Sequence, residues 1–225
     1  MPMNIAIDGP VGAGKSSIAD QVAQRLHILH LDTGAMYRTV ALYMLRNGID
    51  PQDEQTVSAR CGEADVRVAY RDGAQRTMLG GEDVSDLIRT GEVSAAANRR
   101  PFGNGARRRM VAAQREIAAT ADMLIDGRDI GTRVLIDAPV KIFLTATPEE
   151  RARRRYRQQI EKGDMTPYEQ VLAELNARDA QDMNRETDPL RQAEDAVLVD
   201  STNMTPEQVV DAIIAVVEDV YGKRA

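Results

Sequence analysis

Gly9-Pro10-Val11-Gly12-Ala13-Gly14-Lys15-Ser16 matches the pattern G-x-x-x-x-G-K-[ST] in full. Glycines in such a loop let the backbone wrap phosphate oxygens, and the amides at the start of the following helix point at them. Lys15 then reaches the β- and γ-phosphates of a nucleotide, and the Ser16 hydroxyl ligates the accompanying Mg²⁺. The flanks supply the context this pattern requires. Asn4-Ile5-Ala6-Ile7-Asp8 reads as a short strand, and Ile18, Val22, Ala23 and Leu26 recur at helical spacing from Lys15 onward. Strand, loop and helix predict a nucleoside triphosphate site running from Gly9 through Ser16 and the adjoining Ser17.

Further along, the same alternation returns. Ile28 to Leu31, Asp122 to Ile125, Val140 to Leu144 and Ala196 to Val199 read as four more short apolar strands. Met36 to Leu45 reads as a helix closed by Asn47-Gly48, and a last helix opens after Thr205-Pro206. That helix presents Val209, Val210, Ile213, Ile214, Val216, Val217 and Val220 on one face. The pattern predicts an α/β fold of three layers, with a five-stranded parallel sheet flanked by helices. From about Glu63 to Gly91 the text instead alternates, as in Val66-Arg67-Val68-Ala69-Tyr70, which predicts a small antiparallel element inserted into the core.

Composition bounds the remaining choices. The chain has 225 residues, 43% of them apolar and 28% charged, which suits one sizeable domain and excludes disorder along its length. No apolar run approaches the roughly 20 residues needed to span a bilayer. The start, MPMNIAIDGP, lacks the basic segment of a secretory signal. Cys61 is the sole cysteine, so no intramolecular disulfide or cysteine metal cluster can form, and a reducing cytoplasmic setting is expected. A net charge of −6 disfavours nucleic acid as a partner. Only Lys15, Lys141, Lys162 and Lys223 of the 29 basic residues are lysine; the rest are arginine, suited to bidentate recognition of phosphate.

Three kinds of protein use such a glycine loop. A GTPase switch needs a guanine-reading N-K-x-D segment, which this chain lacks, and a motor ATPase usually needs a long apolar strand ending in Asp-Glu. A small-molecule kinase needs a second, anion-binding pocket. Arg38 follows the second strand and Arg128 and Asp129 follow the third, at strand ends where ligands collect in an open α/β sheet. Arg107, Arg178 and Arg185 fall on helical segments and, taken singly, read as solvated helix faces. The run Arg151-Ala152-Arg153-Arg154-Arg155-Tyr156-Arg157 fits a solvated helix, a lid over ATP or, ranked last, a nucleic-acid patch. Asp126 fits either a Mg²⁺-bound water or a structural hydrogen bond; His27, His30 and Cys61 read as structural.

Four blocks make the chain resemble the bacterial cytidylate kinases among the nucleoside monophosphate kinases: IAIDGPVGAGKSS, LDTGAMYR, IDGRDIGTRVLIDAPVKIFLTA and RDAQDMNRETDPLRQAEDAVLVDST. The resemblance implies phosphoryl transfer from ATP with Mg²⁺ to CMP or dCMP, by a monomer. Another small-molecule kinase of this class, with a different monophosphate acceptor, is the alternative. It also implies a core of about 1–62, 99–150 and 167–225, a monophosphate-binding insert of about 63–98 and a helical lid of about 151–166. Thr33, Arg38 and Arg128 would hold the CMP phosphate, and Arg107 and Asp129 would face cytosine. Arg178, Asp182 and Arg185 would lie near sugar and phosphates, with Tyr37 and Asn98 also in the pocket. Lys15, Arg128, Arg153 and Arg157 would act in catalysis. The family pattern often has serine where this chain has Asn98, and a simpler segment where it has Arg99 to Gly105.

Overall fold

Ile5, Ala6 and Ile7 are fully buried, as an inner strand covered on both faces requires. They form β1 (Asn4–Asp8) in the computed structural model, which describes residues 2–51, 53–98 and 104–222. The other strands are β2 (Leu29–Asp32), β3 (Val66–Arg71), β4 (Ala74–Leu79), β5 (Glu82–Asp83), β6 (Met123–Gly127), β7 (Val140–Thr145) and β8 (Val197–Asp200). The helices are α1 (Lys15–Leu26), α2 (Thr33–Arg46), α3 (Glu54–Arg60), α4 (Gly91–Asn98), α5 (Asn104–Ala118), α6 (Pro148–Glu161), α7 (Tyr168–Met183) and α8 (Pro206–Tyr221).

As expected, five strands make one parallel sheet flanked by helices, in the order β2-β6-β1-β7-β8. The β1–β7 and β7–β8 pairings set Ile5 opposite Val140 and Ile142 opposite Val197. β1 is therefore central, and the glycine loop leaves its carboxyl end, where ligands of such sheets collect.

The chain divides into two compact units. The first comprises Met3–Ile28 and Leu124–Ala225. Its core joins β1, α1 and α8 through Ile5, Ile7, Val22, Leu124, Ile142 and Ile213. A capping box opens α8: Thr205 accepts from the Gln208 amide while the Gln208 side chain accepts from Thr205. Two details differ from the sequence expectation. Val220, on the apolar face by spacing, lies in the last turn and is 49% exposed. β8 is an edge strand, so Val197 and Leu198 are exposed and only Val199 is buried.

The second unit comprises Met1–Pro2 and Leu29–Met123. α2 starts three residues before the expected Met36, because the Asp32 side chain caps it, accepting from the Ala35 amide at 3.0 Å. The inserted element is an antiparallel sheet, β3-β4-β5, with Val66 opposite Leu79. Asp72 and Gly73 turn between β3 and β4 with φ of 53° and 76°, the two positive values a tight hairpin turn of this twist requires.

Candidate active site

The glycine loop keeps its shape for steric reasons. A Cβ at Gly9 would lie 2.0 Å from the Leu144 carbonyl oxygen of β7, so only glycine lets the loop leave β1 beside that strand. Gly14, with φ of 89°, precedes α1 and offers no side chain to cap it. The first amides of α1 therefore have no side-chain acceptor at the cap, which suits them to an anion.

Lys15 is buried at the start of α1, and its Nζ donates to the Pro10 carbonyl at 2.8 Å. Burial, and next the Arg128 charge, lower its pKa to about 7; Arg178 acts in the same direction. Asp126 and Asp8 oppose the shift without cancelling it. Lys15, Arg128 and Arg178 thus share one electrostatic neighbourhood, which a polyphosphate would neutralise. Ser16 Oγ donates to Asp126 Oδ2 at 2.9 Å, and Asp126 is buried. A hydroxyl beside a buried carboxylate is a hard-oxygen donor set that fits Mg²⁺, an ion that keeps much of its water and binds through few protein ligands plus substrate phosphates.

Asp182 holds two arginines of this unit. It accepts from Arg128 Nε at 2.8 Å and from Arg185 Nη2. Burial pushes its carboxyl up, but the charges of Arg128, Arg185 and Arg178 outweigh this and hold it below the usual carboxylate value. Asp129, the neighbour of Arg128, is also buried. The segment that carries both is pinned by Asp8, whose two carboxylate oxygens accept from the Ile130 and Gly131 amides, each at 2.7 Å. Gly131 has little room for a side chain, since a Cβ would meet Lys141 Cδ at 3.2 Å and Asp8 Oδ2 at 3.3 Å.

In the other unit, Arg38 Nη2 donates to Asp32 Oδ2 at 2.9 Å while Asp32 Oδ1 caps α2. Gly34 leaves space for this pair: a Cβ there would lie 3.0 Å from both Arg38 Nη1 and Asp32 Oδ1. Arg38 Nε is buried without a hydrogen-bond partner among the described residues. Gln75 of β4 anchors the assembly by its amide, accepting from Asp32 N at 2.7 Å and donating to Asp32 O at 3.4 Å. Thr33 is buried at the start of α2 and Tyr37 half-buried one turn on. Arg107 is buried in α5, not on a solvated helix face as its position in sequence alone suggested. Asn98 ends α4, and Arg99 to Gly103 lie outside the described residues.

The arginine run forms α6. Arg153 is exposed and pairs with Glu150; Arg157 is exposed too. Arg154 donates to Ser201 O at 2.6 Å and Ser201 Oγ at 3.0 Å. Arg151 alone of the run's arginines is buried. Sequence reasoning missed Asp8, Gln75 and Asp179 here, and it singled out Arg151 only as part of a run fitting a solvated helix, a lid or a nucleic-acid patch. Asp8 was legible as an acid immediately before the glycine loop; Gln75 and Asp179 gave no local signal.

Fold and loop together define a P-loop protein that binds a nucleoside triphosphate. A model of the Cytidylate kinase family matches residues 5–219. The chain is 46% identical over 212 residues to a cytidylate kinase of Caldicellulosiruptor bescii, covering 94% of each. It is 49% identical over 208 residues to one of Mycobacterium avium, covering 92% of this chain and 91% of that one. The chain belongs to the cytidylate kinase family. Among solved structures, a sugar kinase from Janibacter sp. HTCC2649 aligns with a TM-score of 0.51 at 13% identity, covering 99% of this chain and 97% of that one, which is likeness of fold.

Proposed function

We propose that this chain transfers the γ-phosphoryl group of ATP to CMP and dCMP, giving CDP or dCDP and ADP. The observation that carries it is the family match over residues 5–219, on a chain whose glycine loop surrounds a buried lysine beside Arg128 and Arg178. The acceptor is a phosphate oxygen already anionic near neutral pH, because a phosphomonoester has a second pKa of about 6. No general base is needed, so catalysis comes from positioning and charge neutralisation. Loop amides and Lys15 hold the terminal phosphates of ATP. Ser16, with Asp126 behind it, would hold Mg²⁺, which supplies further neutralisation of those phosphates when bound.

For the acceptor, Thr33, Arg38 and Arg128 bind the phosphate and Arg107 and Asp129 read cytosine. Arg178, Asp182 and Arg185 line the sugar and phosphates, with Tyr37 and Asn98 alongside. Arg153 and Arg157, exposed on α6, come over ATP when the 151–166 segment closes as a lid, and the 63–98 insert helps exclude water, a competing acceptor. The substrates are small molecules, not nucleic acid; the protein acts as a cytoplasmic monomer. Among the described residues no helix is long and apolar enough to cross a membrane. The test is ADP release with ATP, Mg²⁺ and each monophosphate in turn. CMP and dCMP are expected to lead; release no greater than with AMP, GMP or shikimate would leave a kinase with another acceptor.

A further inference from the structure

The structure assigns Arg151 and Asp179 a shared role as positioning residues, which hold the Val11 peptide of the glycine loop in its phosphate-binding shape. Arg151 lies one turn into α6 and is only 4% exposed. Its Nε donates to the Ala146 carbonyl at 2.8 Å, just before the helix. Its Nη1 donates to the Val11 carbonyl at 2.9 Å and to Asp179 Oδ2 at 2.6 Å. Asp179, on α7, takes the other side of the same residue, its Oδ1 accepting from the Val11 amide at 3.4 Å. Both backbone polar groups of Val11 are thus engaged by one ion pair drawn from two helices.

Packing supports the same contact. A Cβ at Gly12 would meet Leu175 Cδ1 of α7 at 3.3 Å and Arg151 Cβ at 3.4 Å, so both helices press directly on the loop. The pair also selects which amides can serve phosphate. Pro10 has no N–H, and the Val11 N–H is turned to Asp179. The amides left to the phosphates begin at Gly12. A loop held this way need not reorganise as ATP arrives, which is where preorganised sites gain affinity. Arg151 thus reaches the loop backbone, whereas Arg154 of the same RARRRYR run turns to Ser201 and Arg153 to Glu150.

This inference rests on the ATP:CMP reaction proposed above, and the test separates the two. The double variant Arg151→Met, Asp179→Leu removes both charges while keeping apolar bulk, a replacement buried ion pairs generally tolerate. ATP and CMP binding are measured separately by calorimetry on the full chain, with KM for each from ADP release. The expected result is a rise of about tenfold in Kd and KM for ATP, with CMP affinity and melting temperature little changed. Unaltered ATP affinity, or equal losses for ATP and CMP, would overturn the proposal. Should the double variant not fold, Asp179→Asn decides by the same split: the amide keeps an acceptor but drops the charge that holds Arg151. A loss of about threefold or more for ATP alone is expected, and no loss overturns it. A wild type that binds ATP but releases no ADP with CMP would instead refute the proposed reaction, and the ATP-binding comparison would still decide this one.

Discussion

Lys15 is held near a pKa of 7 because burial and the Arg128 charge penalise its ammonium form. A bound polyphosphate reverses that penalty, so the full charge is present when the phosphoryl group is to move. Lys15→Met is expected to lower turnover by on the order of 10²-fold or more while CMP still binds, checked by rate assay and calorimetry on one preparation. A variant retaining half the wild-type rate would contradict the role. Base choice is set at the same scale. Cytosine offers an amine donor where uracil offers a carbonyl, and a carboxylate accepts from the first and repels the second. Asp129, buried beside Arg128, is the acid proposed for that contact. Asp129→Ala is expected to shrink the CMP-to-UMP ratio of kcat/KM by about tenfold, some 1.4 kcal/mol. An unchanged ratio would mean that Asp129 serves only to hold its neighbours.

Among the elements, the small antiparallel sheet has a role that its alternating sequence does not announce. Gln75 of β4 clasps the Asp32 backbone on both sides, and Asp32 in turn caps α2 and pairs with Arg38. An inserted strand thereby sets the direction of Arg38, the α2 arginine proposed to bind the CMP phosphate. Gln75→Leu keeps the bulk and removes the clasp. Loss of a hydrogen bond worth about 1 kcal/mol predicts a roughly fivefold rise in KM for CMP, with KM for ATP unchanged. A rise for both nucleotides would point to general loosening of the fold. α6 and α7 act in a comparable way in the other unit, where one ion pair from their facing sides reaches Val11.

Across the whole molecule, stability bears the cost of a buried acid. Burial raises the Asp8 carboxyl from 3.8 to about 6, although the Gly131 and Ile130 amides act to lower it. The folded value lies above the unfolded one, so the native state binds more protons between them. The contribution of Asp8 is favourable below about pH 4 and is lost as pH rises through about 6. Relative to Asp8→Asn, the wild type is expected to lose on the order of 2 kcal/mol of unfolding free energy between about pH 4 and pH 7, measured by denaturant titration. Parallel pH profiles would refute it. What the ionised form provides is two acceptor oxygens for two adjacent amides, which a neutral amide side chain lacks. The glycine loop, the alternation of strands and helices, and the arginines at strand ends were legible in the chain itself, because each depends on neighbours a few residues away. The edge position of β8, the burial of Arg107 and the partners of Asp8, Gln75, Arg151 and Asp179 were not. Arg151 reads like its neighbours in a run of arginines, and only the approach of α6 and α7 to a loop some 140 residues earlier makes it different. Local backbone preference repeats along the sequence and can be read there; desolvation and long-range hydrogen bonding depend on which groups folding brings together.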